Sequence, residues 1–392
     1  MAFSFFKKQN DAALTLIIDI GSSSVGAALV RIDPNKIPNI LATVREDLSL
    51  QEELSSVRFL AAMNHALERA LKKIHAQTKG RGVPAQVFCT LSSPWFILKT
   101  RHINIAEEKE FTITEKTVDM FLQNDLERMK EELKGTLPDS DIAIIERKIL
   151  HTKLNGYDIK SPYGKKTTRM EMVATISISS KKVISGIESR VRHLFHAEAI
   201  HFGSFPVALF SAVRDMFPTE KDFLVLDITG EATDVSLVNG DLLRSSISFP
   251  RGKNFFVREI SAALKTPHGA ALTLLNMFFH DMLDTKKKAV VGQAIEKGKI
   301  DWVGRFEKGL AVLVKEGSNP HKVFFSADAD VAPFFRDILE KRGGVGGTKL
   351  DFEVQYLDQE IISRFVTCES EVMRDPFLTV EALLARKINS QK

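Results

Sequence analysis

The sequence predicts an α/β protein with two related lobes and an α+β insertion in the first lobe. Two segments with the same order of features, at 16–32 and 223–238, lead to this prediction. Each reads as a buried strand, an aspartate, a turn of small residues and a second strand. Between them, residues 85–180 hold one predicted helix among several predicted strands, which is the pattern of a small α+β unit.

Composition and charge limit the possible functions. The 392 residues are 44% hydrophobic and 27% charged, as in a globular protein with two or more domains. A net charge of +4 does not favour nucleic-acid binding. Cys89 and Cys368 have no neighbours at metal-ligand spacing, so neither a zinc site nor a disulfide framework is indicated. No apolar run is long enough to span a membrane, and we expect a cytoplasmic protein.

The order of predicted elements divides the chain into five parts. Apolar residues at three- and four-residue steps predict a helix between 54 and 74, and Thr114 is the expected N-cap of the helix in the insertion. The pair Asn239-Gly240 predicts a hairpin in the second lobe. The expected parts are a flexible segment at 1–10, the first lobe at 11–84 and 181–221, the insertion at 85–180, the core of the second lobe at 222–250 and 320–392, and its helical part at 251–319.

The two strand-turn-strand segments align without a gap. Placing "DIGSSSVGAALV" over "DITGEATDVSLV" gives four identities in twelve positions. Both copies also share the order strand, aspartate, turn, strand, so we interpret them as equivalent hairpins in two related halves. The identical pairs are Asp19 with Asp227, Ile20 with Ile228, Leu29 with Leu237, and Val30 with Val238.

Two such hairpins facing each other predict a phosphate-binding cleft. A P-loop is excluded, because Ala27 and Ala28 stand where its lysine and hydroxyl residue belong. Two small-residue turns can instead offer backbone N–H groups to phosphates, while the two aspartates hold Mg²⁺. In the alternative, the glycines only permit the turns and the hydroxyls face solvent. The candidate ligands are Asp19 and Asp227 for the metal, and Gly21, Ser22, Ser23, Ser24, Gly230 and Thr233 for the phosphates.

These motifs resemble those of the actin-like ATPase superfamily, in the branch that contains the cell-division protein FtsA and the pilus assembly protein PilM. "DIGSSSVG" resembles the first phosphate motif, and "LDITGEATDVSLV" resembles the second. "ILHTKLNGYDIKSPYGKKTTRMEMVATISISS" resembles the 1C (SHS2-type) subdomain. The resemblance implies an actin-like (duplicated RNase H-like) two-lobed fold with a 1C insertion. It also implies ATP and Mg²⁺ between the lobes.

Several positions depart from the family pattern. Thr229 and Glu231 stand where the second motif has glycines, and each adds a side chain close to the expected phosphate. The lysine of the first turn is missing, with Ser24 and Gly26 at the candidate positions. The adenosine motif reads "KVFFSADADVAPFF", with two carboxylates near the expected nucleoside. Weak ATP binding and no ATP binding both stay open.

The resemblance implies a cytoplasmic scaffold that recruits proteins at the inner face of the membrane. We expect at most a weak ATPase, with the nucleotide as a structural ligand and no catalytic residue assigned. The first hypothesis is an FtsA-like role in cell division, and the alternatives are a PilM-like platform for type IV pilus assembly and a nucleotide-free adaptor. Partners would bind through the 1C insertion, and self-association is an option. Membrane contact would come through a partner or through residues 1–10, which hold three phenylalanines beside Lys7 and Lys8.

Overall fold

The computed structural model describes most of the chain. The described residues are 13–51, 55–132, 141–314, 320–341, 344–345, 348–349 and 352–390. The expected flexible segment at 1–10 lies outside them. Among the described helices, none is both long and apolar enough to cross a membrane.

Seventeen strands and ten α-helices are described. The strands are β1 (Ala13–Ile20), β2 (Ser24–Ile32), β3 (Asn39–Asp47), β4 (Gln86–Leu91), β5 (Phe96–Thr112), β6 (Ile142–Leu154), β7 (Tyr157–Asp158), β8 (Lys166–Ser180), β9 (Ile200–Ser204), β10 (Phe223–Ile228), β11 (Thr233–Asn239), β12 (Leu242–Phe249), β13 (Lys322–Ala327), β14 (Gly344–Val345), β15 (Thr348–Lys349), β16 (Glu353–Tyr356) and β17 (Thr367–Cys368). The helices are α1 (Ser56–Ala76), α2 (Glu115–Glu132), α3 (Lys181–Phe195), α4 (Phe205–Met216), α5 (Lys253–Leu264), α6 (His268–Phe279), α7 (Thr285–Val314), α8 (Ala332–Lys341), α9 (Gln359–Ile362) and α10 (Pro376–Ser390), with one 3₁₀ turn at Ser363–Phe365.

The two main sheets repeat one topology. The first has the order β17-β3-β2-β1-β4-β9, and the second has the order β12-β11-β10-β13-β16. In both, the first three strands along the chain are antiparallel and the next two are parallel to the first strand. This arrangement confirms the predicted two-lobed α/β fold class.

The register of the two hairpins repeats as well. Asp19 lies opposite Gly26 on β2, and Asp227 lies opposite Asp234 on β11, seven residues later in both cases. The second and third strands of each lobe also share a register shift, after Leu29 in one lobe and after Leu237 in the other. These two leucines align in the sequence. A β-bulge at equivalent positions is a specific structural feature, so it supports a duplication more strongly than four identities do.

Each sheet is buried on both faces at its centre. The middle residues of β1 and β10 are fully buried and almost all apolar, as expected when helices cover both faces of a sheet. In the first lobe α1 and α4 contribute to this core, and in the second lobe α5, α7 and α8 do. Trp302 of α7 is fully buried and stacks on Phe306, which anchors the helical part on the second sheet.

The insertion is a four-stranded antiparallel sheet, β5-β8-β6-β7, with α2 packed on one face. Thr114 caps α2 as expected, since its hydroxyl accepts the N–H of Thr117 at 3.1 Å. On its outer side, β6 pairs with β7 only at Lys153 and Leu154. Residues 142–152 of β6 therefore form an edge with no strand partner among the described residues.

The end of the chain lies on the first lobe, in contrast to the division expected from the sequence. We expected 320–392 in the core of the second lobe, but β17 pairs with β3, and α10 packs on α4, β1 and β2. Leu378 and Leu383 belong to the core of the first lobe. A short amphipathic helix carries no signal for which of two similar lobes it covers, so this contact could not be derived from periodicity.

Candidate functional site

The two predicted turns are in direct contact. The Ser22 hydroxyl donates to Thr229 Oγ1 at 2.7 Å and accepts the backbone N–H of Glu231 at 2.9 Å. Ser23 lies against Gly230, where an added Cβ would come within 2.6 Å of the Ser23 Cβ. Polar and van der Waals contacts between the lobes thus occupy the place where the sequence predicts phosphates.

Asp19 is paired with a guanidinium of its own lobe. Arg45 Nη2 lies 2.8 Å from Asp19 Oδ2, and Arg45 Nη1 donates to Ser24 Oγ at 2.8 Å. The same arginine holds Asp375 through two bonds, from Nε at 2.6 Å and from Nη2 at 3.0 Å. Burial raises the pKa of Asp19, and Arg45 opposes that rise. A protein cation therefore stands beside the carboxylate that we predicted as a metal ligand.

Gly26 makes room for this arginine. It lies opposite Arg45 across the β2–β3 pair, and a Cβ at Gly26 would come within 2.7 Å of Arg45 Nη2. Gly26 is also one of the two candidate positions for the missing family lysine. The site thus has a cation, supplied by the neighbouring strand. Sequence reasoning missed Arg45, since only the strand register brings it here.

Asp227 is the centre of a group of buried carboxyls. It is 1% exposed, and its Oδ1 accepts the Ser326 hydroxyl at 2.9 Å. Burial raises its pKa well above the ordinary value, and the nearby charges of Asp234 and Asp19 raise it further. Asp19 and Asp227 therefore lie close enough to interact, as expected from two facing hairpins. Glu381 of α10 has a raised pKa for the same reasons, burial first and then the charge of Asp19.

The additional carboxylates of the second lobe are neutralised by α5. Lys253 Nζ lies 2.6 Å from Asp330 and 3.2 Å from Asp328. Arg258 donates two bonds of 2.8 Å to Glu231. Its Nε also donates to the backbone oxygen of residue 51 in the first lobe at 3.3 Å. The acidic residues that depart from the family pattern are thus balanced by cations of the same lobe.

The remaining candidate ligands have partners within the protein. The Thr233 hydroxyl donates to the Arg251 carbonyl at 2.7 Å and accepts Trp302 Nε1–H at 3.2 Å. The carbonyl of Gly21 accepts Trp95 Nε1–H at 2.8 Å. The structure brings Asp19, the serines, Gly230 and Asp227 to one region, and it turns the Thr233 hydroxyl toward its own lobe. Nucleotide-binding roles for these residues stay predictions.

The arrangement does not fit the Mg²⁺–ATP that the resemblance implies. Phosphates between two such turns need free backbone N–H groups and a gap between the lobes. Here the N–H of Glu231 is bonded to Ser22, and Ser22 reaches Thr229 directly. A carboxylate that coordinates Mg²⁺ through its waters needs a hydrated space, but Asp19 is 3% exposed and is paired with Arg45.

Solved structures identify the fold. Neither a protein-family model nor a curated protein sequence matches the chain. A "PilM-PilN type IV pilus biogenesis complex" matches with a TM-score of 0.61 and 13% identity, over 97% of this chain and 99% of that one. The chain has the actin-like fold. At this identity the likeness establishes the fold alone.

Two further solved structures match with lower TM-scores. The ethanolamine utilization protein EutJ from Carboxydothermus hydrogenoformans matches with a TM-score of 0.45 and 10% identity, over 94% of this chain and 89% of that one. A Bacteroides thetaiotaomicron protein described as having an actin-like ATPase fold matches with a TM-score of 0.41 and 11% identity, over 96% of both chains.

Proposed function

We propose that this chain is a PilM-like adaptor of type IV pilus assembly that binds a PilN-like protein. The observation that carries the proposal is the end-to-end match to PilM in its complex with PilN, at a TM-score of 0.61 over 97% and 99% of the two chains. A scaffold acts through its whole shape, so a match that includes both lobes and the insertion supports this role. The membrane-anchored partner would place the adaptor at the inner face of the membrane.

The open edge of β6 is the proposed contact surface for that partner. A cavity of about 710 Å³ lies along residues 147–152 and 158–163 of the insertion. A second cavity of about 350 Å³ continues between the insertion and the first lobe, lined by Phe210 of α4 and Leu384 of α10. A strand edge without a strand partner, next to grooves of mixed polar and apolar lining, suits an extended peptide that adds a strand to the sheet.

The proposed adaptor keeps its lobes together without nucleotide. Support comes from the Ser22–Thr229 bond at 2.7 Å, which joins the two turns across the lobe boundary. The ion pair of Asp19 with Arg45 at 2.8 Å lies within the first lobe and supplies a cation beside the carboxylate that was predicted to hold the metal. Both contacts occupy positions where the family pattern places phosphate and metal. The protein would then act by binding partners, without hydrolysis.

Two measurements on the full chain test the proposal. A PilN-like tail peptide should bind in calorimetry and slow the hydrogen exchange of amides at 142–152. The outer edge of β5, on the opposite side of the same sheet, is the internal control and should exchange as before. Protection confined to other surfaces would contradict the docking surface. Binding of a tubulin-like division protein in place of the pilus partner would favour the FtsA-like role.

The proposal that the adaptor binds no nucleotide is tested by thermal unfolding of the protein with millimolar Mg²⁺–ATP. A ligand that binds only the folded state stabilises it by RT ln(1 + [L]/Kd). We expect no shift of the melting temperature. A stabilisation above about 1 kcal/mol would mean a dissociation constant below the millimolar range and would contradict a nucleotide-free adaptor.

A further inference from the structure

A third cavity lies between the base of the insertion and the second lobe. Its volume is about 490 Å³. Ser93 and Phe96 line it on the side of the first lobe, and Asp234, Ser246 and Ser248 line it on the side of the second lobe. The cavity is separate from the groove along β6, which is lined by other residues.

Asp234 presents a buried carboxylate to this cavity. The residue is 3% exposed, and its Oδ1 accepts the Ser93 hydroxyl at 2.7 Å. Its Oδ2 is buried and makes no hydrogen bond to any described residue. Ser248 donates to the Ser93 hydroxyl at 3.2 Å, so a short chain of hydroxyls leads along the cavity wall to the carboxylate. A buried polar atom without a partner requires an explanation, and a bound ligand is one.

The charge state of Asp234 distinguishes it from the other buried carboxyls nearby. Burial raises its pKa to about 6, while the Ser93 and Ser248 hydroxyls lower it, so the group is ionised at neutral pH. Burial and the charges of Asp234 and Asp19 raise the pKa of Asp227 well above the ordinary value, which favours its neutral form. Asp19 is paired with Arg45. Of these three groups, Asp234 is the anionic one that has no ion-pair partner among the described residues.

We propose that this cavity binds an alkylammonium group, with the ammonium on Asp234 and the carbon chain along Phe96. An ammonium has three donors, which the free carboxylate oxygen and the neighbouring serine hydroxyls can accept. Pairing relieves the cost of a buried lone charge. The cation could belong to a free diamine or to a lysine side chain of a protein, since both present the same group. The ligand would contact both lobes, and this inference does not depend on the proposed pilus role.

Three other charged or titratable groups lie near the Asp234 carboxylate. Lys99 of β5 and Glu132 of α2 line the cavity, and Asp227 lies opposite Asp234 on the adjacent strand. Glu132 is already bound to Arg101 at 2.9 Å. Lys99 repels a cationic ligand, so a Lys99→Met variant should bind the ligand more tightly. The raised pKa of Asp227 favours its neutral form, which adds no charge.

The test uses calorimetry on the full chain with three probes: 1,4-diaminobutane, Nα-acetyl-lysine amide and the neutral 1,4-butanediol. We expect saturable binding of at least one ammonium probe and none of the diol. Tighter binding of the diamine would identify a free amine as the ligand, and tighter binding of the lysine amide would identify a protein side chain. Equal binding of the diol, or no binding of either ammonium probe, would overturn the proposal.

Variants identify the site. Asp234→Asn should weaken binding at least about tenfold, the size of effect expected for losing a buried charge pair. Asp47→Asn, at an exposed position on β3, should bind as the wild type does. Should the Asp234 variant not fold, Lys99→Met still decides, because removing that cation from the cavity wall should tighten the binding of an ammonium probe. Unchanged binding in the folded Asp234 variant, or unchanged binding in the Lys99 variant, would contradict the assignment.

Discussion

Replacing Arg45 with methionine should destabilise the protein more than the loss of an ordinary surface charge. Arg45 connects three segments, because it contacts Asp19 on β1, Ser24 on β2 and Asp375 just before α10. Methionine keeps much of the side-chain volume but removes every donor. Breaking a buried ion pair costs about 3–5 kcal/mol, because one charge is left without a partner. The Arg45 side chain is 24% exposed, so we take the lower end, about 3 kcal/mol.

Arg69→Met is a matched control for this measurement. Arg69 donates to Glu46 at 2.8 Å, but its side chain is 49% exposed. Exposed pairs contribute about 0–1 kcal/mol. Urea unfolding of the three proteins, followed by tryptophan fluorescence and circular dichroism, gives the two differences. If the Arg45 variant loses no more stability than the Arg69 variant, the proposed role of Arg45 as an internal cation is refuted.

The Arg45 variant should also show a distinct dependence on pH. Burial already raises the pKa of Asp19 in the folded protein. The neutral form of Asp19 therefore contributes to stability at a pH below the unfolded-state pKa, and this contribution is lost as the pH rises through the folded-state pKa. Without Arg45 this pKa rises further. The destabilisation should therefore be small below about pH 4, where both states are protonated, and should grow toward neutral pH. A difference in stability that is constant between about pH 4 and 8 would contradict an electrostatic origin.

Three further changes test other contacts. Burial raises the pKa of Glu146 from 4.5 to about 7, so the stabilising contribution of its neutral form is lost as the pH rises through 7. In urea unfolding, Glu146→Gln should therefore raise the free energy of unfolding by at most about 3 kcal/mol at about pH 8 and leave it unchanged at about pH 4. Gly230→Ala should cost about 1–3 kcal/mol because its Cβ meets Ser23 at 2.6 Å, while Gly269→Ala, with open space around it, should not destabilise. Ser22→Ala should cost about 1–3 kcal/mol in the same assay, because Thr229 and the N–H of residue 231 lose their partner between the lobes, and an unchanged midpoint would contradict that contact.

The sequence was informative where local chemistry decides the structure. The repeated aspartate, turn and strand predicted both hairpins, because a buried strand and a tight turn each have a compositional signature. Leu29 and Leu237 aligned in the sequence, and the structure has a bulge directly after each. The helix and the long strands of the insertion could be located for the same reason, since β5, α2, β6 and β8 each carry their own periodicity. Its predicted start at residue 85 was wrong, because β4 (Gln86–Leu91) pairs with β1 in the sheet of the first lobe.

Contacts that depend on register and packing were not accessible from the sequence. Arg45 reaches Asp19 only because the β2–β3 pairing places it opposite Gly26, and that pairing includes a bulge. The position of α10 decides where Asp375 and Glu381 lie, and nothing in a short helix indicates which lobe it covers. The sequence therefore located the aspartates of the site but not the cation that neutralises them.

The residues that depart from the family pattern take part in contacts between the lobes. From the sequence, Thr229 and Glu231 are only obstacles to phosphate. In the structure, Thr229 accepts the Ser22 hydroxyl across the lobe boundary, and Glu231 holds Arg258, which reaches the backbone of the first lobe. These contacts join the two turns directly, and they support the proposed adaptor that keeps its lobes together without nucleotide.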